Sequence, residues 1–371
     1  MMRVFLYMVA GFLILTACAD RSYTPTVPYA LNIGTPFTLF TATTRAKNPD
    51  GSYGYKRSEK LTLLEMTVSI PPSHMPGELE FTYAHPDPRT QFSMAERREI
   101  SSKNVFRARV NASLANLPGN EQEVTVFIHG YNATQAETAF RAAQMGNDIN
   151  LPGAMVVYSW PSRGKALGYA YDNDSLLFAR DGLEQLLFEL DATHARRIIL
   201  VAHSMGSLLA METLRQIELR RPGWSEQNIG GVMLISPDLD IEVFRNQINS
   251  LAKVPKPFVV FVSERDSILN LSARLRGASD RERLGNISNI DKISDLPISI
   301  VDTTAFSKEA GSTHFVAATS PALLAMLNEA QTMQKTFGPE SLNLASLLPG
   351  ETIQGQSATK ITLSPAEEGA N

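Results

Sequence analysis

The sequence predicts an α/β fold, a mostly parallel central sheet with helices on both faces, and three observations predict it. From Glu123 onward, short apolar runs alternate with amphipathic stretches, and that alternation builds a parallel sheet covered on both sides. The runs VTVFI (124–128), AMVVYSW (154–160), RIILVA (197–202), GVMLIS (231–236) and FVVFVS (258–263) are largely apolar, as strands buried on both faces are. Between them, residues 174–190 place Leu176, Ala179, Leu183, Leu186, Leu187 and Leu190 on one helical stripe.

The N-terminus opens MMRVFLYMVAGFLILTAC. Arg3 supplies a positive start, and residues 4–15 are a 12-residue apolar run. That is short of the ~20 residues a spanning helix needs and fits the apolar region of an export signal. The run ends in Leu15-Thr16-Ala17-Cys18, which resembles the lipobox of bacterial lipoproteins. The resemblance implies cleavage after residue 17, acyl chains on Cys18 and attachment to the cell envelope. Ala19 follows the cysteine and Asp20 comes one later, which leans towards the outer membrane, periplasmic side. Cys18 is the chain's one cysteine, so it has no disulfide partner within the chain. Residues 18–32, polar and Pro-bearing, read as a tether whose stretch from Asp20 would extend about 45 Å.

Residues 33–337 read as one domain. Segments 37–43 and 61–70 alternate like strands, and residues 71–120, rich in turn formers, read as extra strands or a cap. Helices are expected over 136–149, 174–190 and 241–251, and in the segment carrying Leu208, Met211, Leu214 and Ile217. A further strand is expected at 298–301. Ser320-Pro321 is an N-cap followed by proline at the first helical position, opening a last helix with Leu323, Leu327 and Ala330 on its stripe. Residues 338–371 carry no core pattern, and the part from Gly350 reads as a disordered tail.

Composition narrows the chemistry. A formal charge of −4 gives no electrostatic reason to expect a nucleic-acid partner. Six histidines and one cysteine, without HExxH or CxxC, point to no metal site. No organic cofactor is implied.

One element carries the chemistry. The strand 197–202 runs into Ala202-His203-Ser204-Met205-Gly206 and directly on into a helix. A turn that tight needs small residues two before and two after the serine, and Ala202 and Gly206 supply them. The helix N-terminus under Ser204 favours developing negative charge. This strand–Ser–helix element resembles the nucleophile elbow of the α/β-hydrolases. With HGYN (129–132), SWPSRG (159–164) and SPDLD (236–240), the chain resembles bacterial esterase/lipase-like α/β-hydrolases of largely unassigned substrate, over roughly residues 37–337.

The resemblance implies a serine hydrolase acting on carboxylic esters. Ser204 is the expected nucleophile. The family order of Ser, acid and His leaves His314, the one histidine after Ser204, as the base. Asp266, after the strand two beyond the elbow, is the first choice of acid; Asp238, Asp240 and Glu264 stay open. The backbone N–H groups of Tyr131 and Met205 are the expected oxyanion donors. His129 is expected to brace their loop, and His203 to be structural. His74, His85 and His194 read as surface or core residues. Trp160, Arg163 and Tyr171 follow a strand's carboxyl end, where ligands bind in open α/β sheets, and are candidate substrate contacts. An acyltransferase, a peptidase, or a non-catalytic binding protein on a hydrolase shell remain the rival readings.

Overall fold

The computed structural model describes residues 21, 23–275, 277, 283–288, 290–337, 348 and 350–364. The signal segment and Cys18 lie outside the described residues.

Eleven strands form one sheet among the described residues: β1 (Thr35–Lys47), β2 (Tyr53–Ile70), β3 (Ser93–Glu99), β4 (Glu123–Ile128), β5 (Ala154–Ser159), β6 (Arg197–His203), β7 (Ile229–Ile235), β8 (Phe258–Val262), β9 (Ser299–Asp302), β10 (Gly350–Gln354) and β11 (Thr359–Leu363). Their spatial order is β10-β11-β9-β8-β7-β6-β4-β5-β1-β2-β3. From β1 across to β11, all neighbours pair in parallel; antiparallel pairing is confined to β1–β2, β2–β3 and β10–β11 at the two margins.

The helices are α1 (Lys103–Leu114), α2 (Gln135–Asp148), α3 (Tyr169–Asp191), α4 (Met205–Arg220), α5 (Trp224–Asn228), α6 (Ile241–Asn249), α7 (Ser267–Leu275), α8 (Val316–Thr319) and α9 (Pro321–Phe337). Each central strand divides its side chains by parity. In β4, Val124, Val126 and Ile128 pack with the helical stripe Leu176 to Leu190 and with Met211, Leu214 and Ile217 of α4. Phe127 packs on the other face with Ala139, Phe140 and Ala143 of α2. At α9, the Ser320 hydroxyl accepts from the Leu323 N–H at 3.2 Å, the expected cap.

Residues 71–120 hold β3 and α1 rather than an independent cap: β3 extends the sheet margin, and α1 buries Phe106, Val110 and Leu114 in the core. Two further expectations are corrected. The stretch read as a tether lies against the domain: Thr24, Val27 and Ala30 are buried, and the Val27 N–H donates to Met94 O at 2.7 Å. The Tyr, Val, Ala and Leu spaced between its polar residues supply enough apolar surface to dock. The stretch read as a disordered tail contains the β10–β11 hairpin. β11 pairs in parallel with β9 and buries Ile361 and Leu363, with Ala358 buried just before it, while Lys360 Nζ meets Asp302 Oδ2 at 3.0 Å. A short strand with two apolar side chains shows little pattern by itself; the sheet edge it completes makes it stable.

Candidate active site

The carboxyl ends of β4, β6 and β8, with the loop after β9, bring four segments together. Ser204 leaves β6 at φ 52° and ψ −124°, a left-handed φ that costs a non-glycine residue about 1–3 kcal/mol and persists where the surroundings hold it. The Ser204 N–H donates to Ile235 O at 3.0 Å, its carbonyl accepts from Ser207 N at 3.0 Å, and the Ser207 hydroxyl donates to Ala202 O at 3.1 Å. Gly206 is obligatory: a Cβ there would collide with the carbonyl oxygens of Ile128 and His129. The β4 backbone therefore passes directly against the first turn of α4. The sequence requirement for a small residue has its cause in that approach.

Asp266 and His314 meet across the loops. His314 Nδ1 lies 2.7 Å from Asp266 Oδ2, with Asp266 fully buried and the imidazole 12% exposed. The other carboxylate oxygen accepts from the Ile268 and Leu269 N–H groups at 3.0 Å each, so the carboxylate is oriented before it meets the ring. His314 is anchored by its own N–H to Ser312 Oγ at 3.2 Å. His203 packs between the pieces, its ring centroid 4.8 Å from that of His314 and 4.0 Å from that of Phe315. Its Nε2 donates to His314 O at 3.3 Å. Burial, reinforced by the neighbouring His314, pushes His203 well below the usual histidine range, so it stays neutral and its part is structural.

Asp238 is engaged elsewhere. It accepts from Ser272 Oγ at 2.5 Å, Tyr169 Oη at 2.7 Å and Arg283 Nε at 2.9 Å, and both members of the ion pair are buried. Asp240 caps α6 through the Glu242 and Val243 N–H groups, and Glu264 faces Lys360 at 4.0 Å.

The loop 129–134 lies against Ser204: a Cβ on Gly130 would stand 2.8 Å from Ser204 Cβ. His129 fixes the orientation of this loop. Burial and the Arg45 charge push it down to about 3, so the ring is neutral and carries one N–H. Nδ1 lies 2.8 Å from Gly130 O, whereas Nε2 lies between Trp160 O at 3.1 Å and the Arg45 donor at 3.4 Å. The shorter contact and the donor beside Nε2 place the proton on Nδ1. In a planar trans peptide the N–H points opposite to the C=O. Holding the Gly130 carbonyl therefore aims the Tyr131 N–H. Met205 and Gly206 are the first residues of α4, and N–H groups there have no acceptor within the helix.

Two buried residues that no motif singles out secure this loop from inside. Arg45 donates to Ser159 Oγ at 2.9 Å, Gly54 O at 3.1 Å, Ser162 O at 3.0 Å and Ala133 O at 2.7 Å. Asp172 accepts from Ser162 Oγ and Arg163 N at 2.6 Å each and from Asn132 N at 3.4 Å, and burial raises its pKa. Their only signal was charge near the ends of otherwise apolar elements, which does not reveal a direction.

The three expected substrate contacts divide. Trp160 is fully buried, stacks on His129 at 4.9 Å and donates its indole N–H to His129 O at 2.7 Å. It is a packing residue, because the chain turns its ring under the loop rather than over the site. Arg163 sits on the Tyr55 ring at 3.7 Å, and Tyr171 donates to Tyr55 O at 2.9 Å. Those contacts tie the two side chains to Tyr55 of β2.

Taken chemically, a strained serine at a helix N-terminus beside a carboxylate-oriented imidazole and aimed backbone donors can carry out nucleophilic acyl transfer. A family model for α/β-hydrolases of unknown function (DUF900) matches residues 102–331. The chain belongs to that family. The match spans the elbow, Asp266 and His314. The family's α/β-hydrolase fold agrees with the observed sheet. Among solved structures, the chain is similar to fungal esterases of Rhizomucor miehei (11% identity, covering 87% of this chain and 90% of that one, TM-score 0.35). It is similar to a thermostable esterase of Pseudomonas putida (11%, 83% and 86%, TM-score 0.33) and to Aspergillus fumigatus lipase B (12%, 63% and 58%, TM-score 0.37). A search of curated proteins returned no match. No group of metal-ligating side chains and no helix long and apolar enough to cross a membrane occurs among the described residues.

Proposed function

We propose that this α/β-hydrolase is a serine hydrolase that cleaves carboxylic esters through an acyl-enzyme on Ser204. The observation that carries the reading is the Asp266–His314 hydrogen bond of 2.7 Å, packed through the His203 ring at 4.8 Å from His314 against the turn that holds Ser204 at positive φ. Ser204 Oγ attacks the acyl carbon while His314 Nε2 takes its proton, and Asp266 supports the imidazolium that forms. The oxyanion is met by the Met205 and Tyr131 N–H groups. His314 then protonates the departing alcohol, and a water molecule activated by the same ring hydrolyses the acyl-enzyme.

Cys18, if acylated as the LTAC box suggests, holds the protein in the bacterial envelope. Two residues, Ala19 and Asp20, separate Cys18 from Arg21, and the three Cα–Cα steps between them reach about 11 Å when extended. Arg21 is hydrogen-bonded to Asn132 and Gly164 beside the site. The active-site rim then stands close to the lipid surface, which favours esters presented by the membrane over those far from it.

Fluorophosphonate labelling tests the reading. Wild type should be labelled on Ser204 and hydrolyse a panel of short- and long-chain esters. Ser204→Ala should lose labelling and several orders of magnitude of turnover while remaining folded. A folded Ser204→Ala protein with near-normal turnover refutes it. Product analysis with alcohol and amine acceptors separates hydrolysis from acyl transfer or peptide cleavage.

A further inference from the structure

Arg21 makes an unusual set of contacts for a residue so close to the N-terminus. Its Nη1 donates to Asn132 Oδ1 at 3.0 Å and to Gly164 O at 2.8 Å, its Nε donates to Tyr83 Oη at 2.8 Å, and its Nη2 reaches Asn132 O at 3.5 Å and pairs with Glu137. Tyr83 donates to the same Glu137 carboxylate. Glu137 also closes the capping box of α2 by accepting the Thr134 N–H at 2.7 Å. One guanidinium thereby ties three strands of chain: the loop 129–134, the turn at Gly164, and the segment carrying Tyr83.

The tied point matters for the chemistry. Asn132 directly follows Tyr131 and adopts φ 57°, a left-handed conformation that persists where contacts hold it. From inside, the loop is fixed by Arg45 on Ala133 O and by Asp172 on Asn132 N. The Asp172 contact is long, at 3.4 Å. From outside, Arg21 holds both the side chain and the carbonyl of Asn132. A planar fork of donors suits that arrangement, and a lysine ammonium cannot reproduce it.

We infer that Arg21 is a positioning residue for the oxyanion loop: its guanidinium completes the hole by holding Asn132 and so the preceding Tyr131 N–H. This rests on the serine-hydrolase reading above. In that reading Arg21 touches no reacting atom. It acts through Asn132, and a shift of about 1 Å in the donor lowers turnover up to about 100-fold.

The test uses the full-length protein in its membrane fraction. Arg21→Ala should lower kcat on a neutral short-chain ester about 10- to 100-fold with KM within twofold. A trifluoromethyl ketone, whose adduct places an oxyanion in the hole, should bind more weakly by a similar factor. Arg21→Lys should recover only part of the loss, and added methylguanidine should raise kcat of Arg21→Ala but not of wild type. Glu137→Gln keeps a capping side chain at its position while removing the charge that holds Arg21; it should give a smaller loss of kcat, and the double variant should be no worse than Arg21→Ala. Unchanged kcat in Arg21→Ala overturns the inference. So do a kcat loss matched by the loss of folded protein in thermal melts with inhibitor affinity unaltered, and additive losses in the double variant. If wild type neither labels with fluorophosphonate nor hydrolyses any ester, the serine-hydrolase reading itself has failed, a result distinct from these.

Discussion

Replacing Asp266 by asparagine separates the candidate acids, because the surroundings dictate which way the amide must turn. Oδ1 of Asp266 accepts two backbone N–H groups at 3.0 Å, and Oδ2 faces His314 Nδ1 at 2.7 Å. In Asp266→Asn the amide oxygen has to stay with the two backbone donors, since an NH2 group cannot accept from them. The NH2 group then faces Nδ1, which must become the acceptor. The ring proton moves to Nε2, and the face turned to Ser204 presents an N–H instead of a lone pair. An imidazole in that tautomer cannot take the serine proton. The expected loss is about 10⁴-fold in kcat, or about 5.4 kcal/mol at 1.36 kcal/mol per decade. Asp238→Asn should behave differently. It leaves the buried Arg283 guanidinium with Asp240 at 3.8 Å as its remaining carboxylate partner among the described residues, at a cost of roughly 3 kcal/mol in stability. Turnover per folded molecule should stay within about tenfold. The assay is kcat and KM on p-nitrophenyl butyrate, normalised to the folded fraction from urea melts. Asp266→Asn within tenfold of wild type, with Asp238→Asn down three orders of magnitude, would refute the assignment.

Other outcomes follow from the same contacts. His129 titrates at about 3 in the folded protein against an ordinary value of 6.5, so below pH 6.5 the unfolded chain binds a proton that the native ring refuses. Stability should fall with falling pH between 6.5 and 3, at up to about 1.4 kcal/mol per unit from this group; urea melts of His129→Gln against wild type should show that part of the slope vanish. Deleting residues 350–371 should cost roughly 3–6 kcal/mol, from the burial of Ile361 and Leu363 at ~1.5–3 kcal/mol each, whereas loss of a disordered tail would leave the thermal midpoint unchanged. Gly206→Ala should abolish turnover and destabilise the fold, because the new Cβ meets backbone oxygens that cannot move without displacing β4; an active, stable variant would mean that the elbow is looser than it stands here. Cys18→Ser should shift the protein out of the membrane fraction, and intact-mass analysis of wild type should show acyl chains; an unmodified mature chain refutes the anchor.

The sequence by itself determined the frame. Strands buried on both faces must be apolar at every position, and the helices covering them must carry a stripe, so both patterns are local and legible. The elbow was legible for a related reason: a tight strand–helix turn restricts residue size at fixed spacings, and Ala202, Ser204 and Gly206 meet those limits. The approach of the Ile128 and His129 carbonyls supplies the restriction. His314 and Asp266 were read from chain order, and tertiary structure brings them to 2.7 Å from loops after different strands. Only the tertiary structure decided what each buried polar group faces. Asp238 and Asp266 both follow apolar strands and look equivalent along the chain; one meets Arg283 and the other His314 because of how α7 and the loops fold over them. Trp160 turned under the loop and Arg45 turned inward for the same reason, since the direction of a side chain beyond a strand end has no periodicity to reveal it. The strap at 23–32 and the hairpin at 350–363 are not legible along the chain because each is short and lacks a strand or helix period. Their few apolar residues gain stability from surfaces contributed by distant parts of the chain, and no local pattern records such a surface.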